Sequence, residues 1–240
     1  MSLQAAIFDV DGVLVASPHE RAWRAALAGF ADPAGFTTAF YQANVAGKPR
    51  LDGARAALEG LGVARADEQA PAYAAAKQAL MVRLIGEGDF EVFPDAALLA
   101  DRMHAAGIRL ALASSSKNAG AMLRRLALPD GRPLLGLFEA DLSGRDVPRG
   151  KPDPAIFLLA TSALALPPAH CLVIEDAPAG IAAARAGGMA ALGIARLGDA
   201  ALLRAAGADL VVTSLDDVDV AALSRSVLRV RADKESPPHG

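Results

Sequence analysis

The sequence predicts an α/β fold: a doubly wound parallel sheet in the strand order 3-2-1-4-5-6, with an α-helical cap domain inserted after the first strand. Three observations lead there. Six short apolar runs, at 5–8, 108–113, 136–140, 170–174, 190–195 and 209–212, read as buried strands, and the later ones alternate with helical stretches. Strand and helix in alternation mean parallel strands joined by right-handed crossovers. The stretch between the first two runs instead carries apolar residues at three- and four-residue spacing and no strand-like run. Finally, acidic pairs close the first and fourth runs, which are neighbours at the switch point of a Rossmann-like sheet, where ligands bind beyond the carboxyl ends. The expected division is a core of 1–16 and 92–230, a cap of 17–91 and a polar, proline-bearing tail of 231–240 that is disordered.

At 240 residues and 53% hydrophobic content, the chain can bury one large core, or one core plus a smaller domain. Its formal net charge is −3 and it has no dense Lys/Arg block, which speaks against nucleic acid and anionic membranes as partners. The first residues lack a basic segment followed by a long apolar one, and no apolar stretch is long enough to span a bilayer. A cytoplasmic monomer acting on a small molecule is expected. Cys171, the only cysteine, lies in the apolar run Cys171-Leu172-Val173-Ile174 and reads as a packing residue in a reducing compartment.

The first strand breaks at Asp9-Val10-Asp11-Gly12-Val13-Leu14-Val15. Taken alone, that is an Asp-Gly turn. It is also what a nucleophilic Asp9 needs, with Asp11 as acid/base partner and Mg²⁺ offsetting the charge of a phosphoryl group. Helices are expected over 19–30, 33–44, 51–61 and 67–85. Between them, Val45-Ala46-Gly47-Lys48-Pro49-Arg50 carries two cations to a helix start, although most such loops are solvated turns. The second strand leads into Ser114-Ser115-Ser116-Lys117-Asn118, expected to open a helix; the serines suit an N-cap, and the helix N–H groups suit a phosphate. In Gly150-Lys151-Pro152-Asp153-Pro154 the prolines hold Lys151 in a defined loop, where its ammonium balances carboxylates and a transferring phosphoryl group. The fourth strand ends in Glu175-Asp176-Ala177-Pro178. Four carboxylates without a local cationic majority favour a hard divalent cation, Mg²⁺. Of five lysines, at 48, 77, 117, 151 and 234, three fall in these loops. His104, His170 and His239 have no ligand-like partners at useful spacing, Trp23 reads as cap packing, and Met103, Met122 and Met189 read as core filling.

Asp9-Val10-Asp11-Gly12, Ser114, Lys151 with Pro152, and Glu175-Asp176 resemble the four motifs of the haloacid-dehalogenase-like (HAD) superfamily, in order and across nearly the whole chain. The resemblance implies that Asp9 is the nucleophile forming an aspartyl-phosphate. It makes Asp11 the general acid/base, with its backbone carbonyl also on the metal, Ser114 and Lys151 the phosphate-binding pair, and Glu175 and Asp176 the metal-site carboxylates. Asp11 argues against a dehalogenase, which has no leaving alcohol to protonate. The inserted helices resemble the cap of the subclass that carries it after the first strand.

Within that subclass, Ala113-Ser114-Ser115-Ser116-Lys117-Asn118 and Gly47-Lys48-Pro49-Arg50 are similar to motifs of the β-phosphoglucomutase-like subfamily. This implies a second, distal phosphate site built from Arg50, Ser116, Lys117 and Asn118 with Lys48 beside it, and a hinge histidine, His19, that helps position Asp11. The implied activity interconverts β-glucose 1-phosphate and glucose 6-phosphate, with the cap closing on hinges at Val15-Ala16-Ser17-Pro18 and Phe90-Glu91-Val92-Phe93. Ala16 departs from the aspartate usual in the subfamily. The alternatives are a sugar-phosphate phosphatase using the same core and, less favoured, a non-catalytic phosphate-binding protein. A phosphonate hydrolase is disfavoured because it needs a cap lysine in an apolar setting, which Lys48 lacks.

Overall fold

β1, Ala5–Phe8, is buried along its whole length, as a strand covered on both faces must be. The computed structural model describes residues 3–232. β1 is followed by β2, Val15–Ala16, and by four cap helices: α1, His19–Ala26; α2, Thr38–Asn44; α3, Arg50–Gly60; and α4, Ala66–Glu87. The chain returns through β3, Glu91–Val92, and α5, Pro94–Ala105. It then alternates through β4, Arg109–Leu112; α6, Ala119–Leu123; β5, Ala140–Asp141; α7, Ala155–Ala163; β6, Cys171–Glu175; α8, Pro178–Ala186; β7, Ala190–Ile194; α9, Ala200–Ala205; and β8, Leu210–Val212. The six-stranded sheet runs β5-β4-β1-β6-β7-β8 with every pairing parallel. Counted among core strands alone, that is the expected 3-2-1-4-5-6.

Side chains alternate across the sheet with period two. Ala6, Phe8, Leu110, Leu112, Leu172, Ile174, Leu192 and Ile194 face a core that includes α5 and α6. Ala5, Ile7, Ala111, Cys171, Val173 and Ala191 face a second core under α7 and α8. Cys171 is fully buried there, and burial pushes its thiol up to about 11, as the packing role requires. A third core, around Trp23, Leu27, Phe36, Leu58 and Tyr73, holds the inserted helices together. No helix among the described residues is long and apolar enough to cross a membrane.

Three expected elements differ from the observed ones. The helix over 19–30 ends at Ala26 and tightens into a 3₁₀ turn, Leu27–Gly29. The helix over 33–44 splits into a 3₁₀ turn, Pro33–Gly35, and α2, because Thr37 caps a new start: its Oγ1 accepts from the Phe40 N–H at 3.1 Å. The strand over 136–140 shrinks to Ala140–Asp141 and is preceded by a 3₁₀ turn, Leu134–Leu137; it lies at the sheet edge with only β4 to pair with. Of the tail expected to be disordered, 233–240 lie outside the described residues, whereas the Arg231 N–H donates to Asp217 O at 2.7 Å.

The two expected hinge segments meet. β2 and β3 form an antiparallel ladder, Val15 opposite Val92 and Ala16 opposite Glu91, and the Phe93 N–H donates to Leu14 O at 2.9 Å.

Candidate active site

Strand register brings the motifs together. Phe8 pairs with both Leu112 and Ile174, so Asp9, Ala113 and Glu175 follow on one level at the carboxyl edge. The Asp9 N–H donates to Ile174 O at 3.0 Å and the Ala113 N–H to Phe8 O at 2.9 Å, which continues the sheet as far as the candidate site residues. Asp9, Glu175, Ser114 and Lys151 are buried, and Asp11 and Asp176 partly so.

Lys151 is the centre of charge. Its Nζ donates to Asp9 Oδ1 at 2.8 Å and to Glu175 Oε1, and lies 4.8 Å from the centre of the Phe157 ring. Burial works against this ammonium, but Asp9 and Glu175 outweigh it and its pKa rises. One lysine cannot serve all the carboxylates nearby. Burial, with Glu175 and Asp11 adding to it, pushes the Asp9 carboxyl up to about 8 despite Lys151. Burial, then Glu175 and Asp9, raises Asp176 likewise.

That excess of buried negative charge is what a divalent cation would offset, and the donors fit one. Oxygens of Asp9, Glu175 and Asp176 lie within 4.8 Å of one another. The three are not equivalent. Both oxygens of Glu175 are already engaged, Oε1 by Lys151 and Oε2 by the N–H groups of Asp176 and Ala177 at 3.1 Å each. Glu175 therefore braces Lys151 and the following turn, while Asp9 and Asp176 keep open valences. The Asp11 side chain is not part of this cluster.

Asp11 faces the other way. Its Oδ2 accepts from Ser114 Oγ at 3.4 Å, and its Oδ1 lies 3.3 Å from His19 Nε2 without hydrogen-bond geometry. Burial, followed by the nearby cations Lys77 and Arg50, lowers His19 to about 4 even though Asp11 pulls it upward. A neutral imidazole whose Nδ1 accepts from Lys77 Nζ, 2.7 Å away, carries its proton on Nε2, toward Asp11 and toward Ser116 Oγ at 3.2 Å.

The sequence reading did not select Lys77, which α4 presents to the site, buried and 4.9 Å over the Trp23 ring. Burial lowers it to about 7. A signal was present: Lys77 sits in the stripe Ala70, Tyr73, Ala74, Met81, Ile85, and a charge in an apolar stripe must find a partner. Lys77 also supplies the apolar setting that Lys48 lacks, although its ammonium is committed to His19. Arg196, against the loop after Asp11, was likewise missed, and no pattern marks it in the sequence.

The remaining expected residues line one cavity of about 360 Å³, with Asp9, Asp11, His19 and Lys77 alongside Lys48, Arg50, Ser114, Ser116, Lys117 and Asn118. Ser114 to Asn118 do not open a helix directly. They form a loop in which Ser114 Oγ accepts from the Ser116 N–H and Ser116 Oγ from the Asn118 N–H, and α6 begins only at Ala119 and lasts five residues. Lys117 pairs at the rim with Asp146 at 2.6 Å, and the Asn118 amide exchanges hydrogen bonds with Gln78 of α4. The Arg50 guanidinium, half-buried at the start of α3, has no hydrogen-bond or ion-pair partner among the described residues. A second, larger cleft of about 590 Å³ on the hinge side touches Asp11 and Asp176 but not Asp9.

The cap loop closes over this floor. A Cβ built on Gly150 would fall 1.9 Å from Pro49 Cγ, and one on Gly47 3.1 Å from Ala177 Cβ. Gly150→Ala should therefore hold the cap away from the core. We expect phosphoryl transfer to fall about tenfold while simple ester hydrolysis persists, measured by product partition.

Residues 3–188 match the family model described as haloacid dehalogenase-like hydrolase. Together with the site, the match defines an enzyme of phosphoryl-transfer type. The chain belongs to the haloacid dehalogenase-like hydrolases. It is 34% identical over 194 residues to protein CbbY of Rhodobacter capsulatus, covering 79% of this chain and 84% of that one. It is 32% identical over 245 aligned residues to a β-phosphoglucomutase of Mycobacterium tuberculosis, covering 90% and 91%. Among solved structures, the archaeal β-phosphoglucomutase of Pyrococcus sp. strain ST 04 superposes with a TM-score of 0.70 at 30% identity, covering 91% of this chain and 96% of that one.

Proposed function

We propose that the protein is a Mg²⁺-dependent β-phosphoglucomutase, interconverting β-glucose 1-phosphate and glucose 6-phosphate through an aspartyl-phosphate on Asp9. The observation that carries this reading is the Arg50 guanidinium, unpartnered among the described residues, which lines the same cavity as Asp9. A mutase must hold two phosphates, one at the nucleophile and one at the far end of the sugar bisphosphate, and a planar guanidinium suits the far one.

Asp9 attacks phosphorus, the bond to the sugar oxygen breaks, and Asp11 gives that oxygen its proton. In the return half-reaction Asp11 takes the proton from the other hydroxyl as it attacks the aspartyl-phosphate. Lys151 holds Asp9 in place and Ser114 binds phosphoryl oxygens. His19, backed by Lys77, turns its Nε2 proton toward Asp11. The ion, held by Asp9, Asp176 and the Asp11 carbonyl, would offset charge on the phosphoryl oxygens. Closure of the cap loop on Gly150 and Ala177 keeps water from the phosphoenzyme.

The second reading, a sugar-phosphate phosphatase, is favoured by the commitment of Lys117 to Asp146 and of Asn118 to Gln78, which leaves Arg50 with fewer distal partners. Incubation with Mg²⁺, β-glucose 1-phosphate and a trace of glucose 1,6-bisphosphate separates the two. Glucose 6-phosphate without matching phosphate release supports the mutase, and free phosphate with glucose supports the phosphatase. Arg50→Ala should cut mutase turnover about 100-fold while changing hydrolysis of p-nitrophenyl phosphate less than about fivefold; equal losses would remove the distal site.

A further inference from the structure

Asp11 has few contacts of its own. Its Oδ1 has no hydrogen-bond partner, and Ser114 reaches its Oδ2 only at 3.4 Å. The direction of its carboxylate therefore depends on the backbone that carries it, and among the described residues one side chain, Arg196, holds the loop that follows it. Arg196, two residues past β7 and largely buried, donates from Nε to Gly12 O at 3.0 Å and from Nη2 to Val13 O at 3.1 Å. Its guanidinium lies 3.7 Å from the centre of the Phe93 ring, directly after hinge strand β3. The remaining donors grip Asp95, with Nη1 3.1 Å from Oδ2 and Nη2 2.9 Å from Oδ1. Asp95 is tied in turn to the Leu215 N–H at 2.9 Å and the Ala96 N–H at 2.8 Å.

One planar fork thus joins the loop after Asp11, the exit of the hinge and two core elements. The clamped loop has little freedom elsewhere: Gly12 has φ +84°, and a Cβ there would fall 1.9 Å from Asp176 Oδ2. A lysine could not replace the fork, since its compact ammonium lacks the planar array of donors that meets two carbonyls and a carboxylate together.

We propose that Arg196 is a positioning residue for proton transfer, holding Gly12 and Val13 so that the Asp11 carboxylate meets the oxygen of the leaving or attacking alcohol. This rests on the acid/base reading of Asp11. In the step concerned, the phosphorus–oxygen bond to the alcohol breaks as the bond to Asp9 forms, and the proton moves from Asp11 to the departing oxygen. An alkoxide needs that proton, whereas p-nitrophenolate leaves without it.

The test is single-turnover release of the leaving group, with enzyme and Mg²⁺ in excess, from glucose 1,6-bisphosphate and from p-nitrophenyl phosphate. Arg196→Met keeps the packing on Phe93 and removes the fork. It should slow the sugar ester about 100-fold and the aryl ester less than about fivefold, within the range that a positioned acid contributes. Arg196→Lys should give the same skew at smaller size, and it provides the answer if the methionine variant does not fold. Equal losses on the two esters, or no loss, would overturn the proposal and leave Arg196 a structural brace. Asp11→Asn sets the scale. A skew there without one at Arg196 refutes only the positioning role, whereas no skew at Asp11 refutes the acid/base reading on which it rests.

Discussion

Asp9→Asn is expected to abolish phosphoenzyme formation and to lower turnover of any phosphate ester by at least about 10⁴-fold, because the attacking oxygen is removed while binding groups remain. Quantifying acyl-phosphate after a rapid acid quench checks this directly, and survival of activity would remove Asp9 as nucleophile. The same variant should unfold at a temperature equal to or above that of the parent. Asp9 is a buried carboxylate that shares one lysine with Glu175 and lies close to Asp176. Neutralising it relieves a repulsion that the folded state otherwise bears, the usual opposition between a working site and stability.

Lys151→Met should have the larger effect on folding. The Lys151 side chain is fully buried, as is that of Glu175, with Asp9 nearly so. Removing the cation leaves two carboxylates uncompensated, a loss of about 3–5 kcal/mol for a broken buried pair. Denaturant unfolding followed by circular dichroism measures it. Adding Glu175→Gln should restore part of the loss, because the amide oxygen can still accept from the Asp176 or Ala177 N–H while the charge is gone. Such a rescue is the non-additivity expected of residues in one network. Turnover should stay low in both variants, since neither restores the ammonium beside Asp9. Additive losses would show that Lys151 and Glu175 act independently, contrary to their contact.

Much of the fold was legible because burial on two faces leaves a strong mark. Ala5-Ala6-Ile7-Phe8 and Cys171-Leu172-Val173-Ile174 can be little else, and the alternation after residue 92 permits few topologies. The loops at the strand ends were legible as well, because Asp9, Asp11, Lys151 and Asp176 stand where a sheet of this order gathers its ligand groups. What the chain did not announce depends on tertiary contact. Thr37 caps a helix start directly after the buried Phe36. Ala140–Asp141 is a strand by virtue of one neighbour. Lys77 shows in the sequence only as a charge in an apolar helical stripe, and its partner His19 lies 58 positions away. Glu175 and Asp176 look interchangeable in sequence, yet Lys151 and two backbone amides separate them. Arg196 carries no pattern at all, since its partners come from two distant stretches of chain, 12–13 and 93–95.

The short ladder between β2 and β3 has a consequence for how such a chain can change over time. The helical insertion begins after Ala16 and ends before Glu91, and these two residues are paired. Its ends are thus already joined, like the neck of a purse. Helices can be lengthened, reordered or exchanged beyond that neck without asking β1 and β4 to move apart. Asp9, Asp11 and Asp176 belong to one side of the neck and Arg50, Lys48 and Lys77 to the other, so the first set can be inherited unchanged while the second is rewritten.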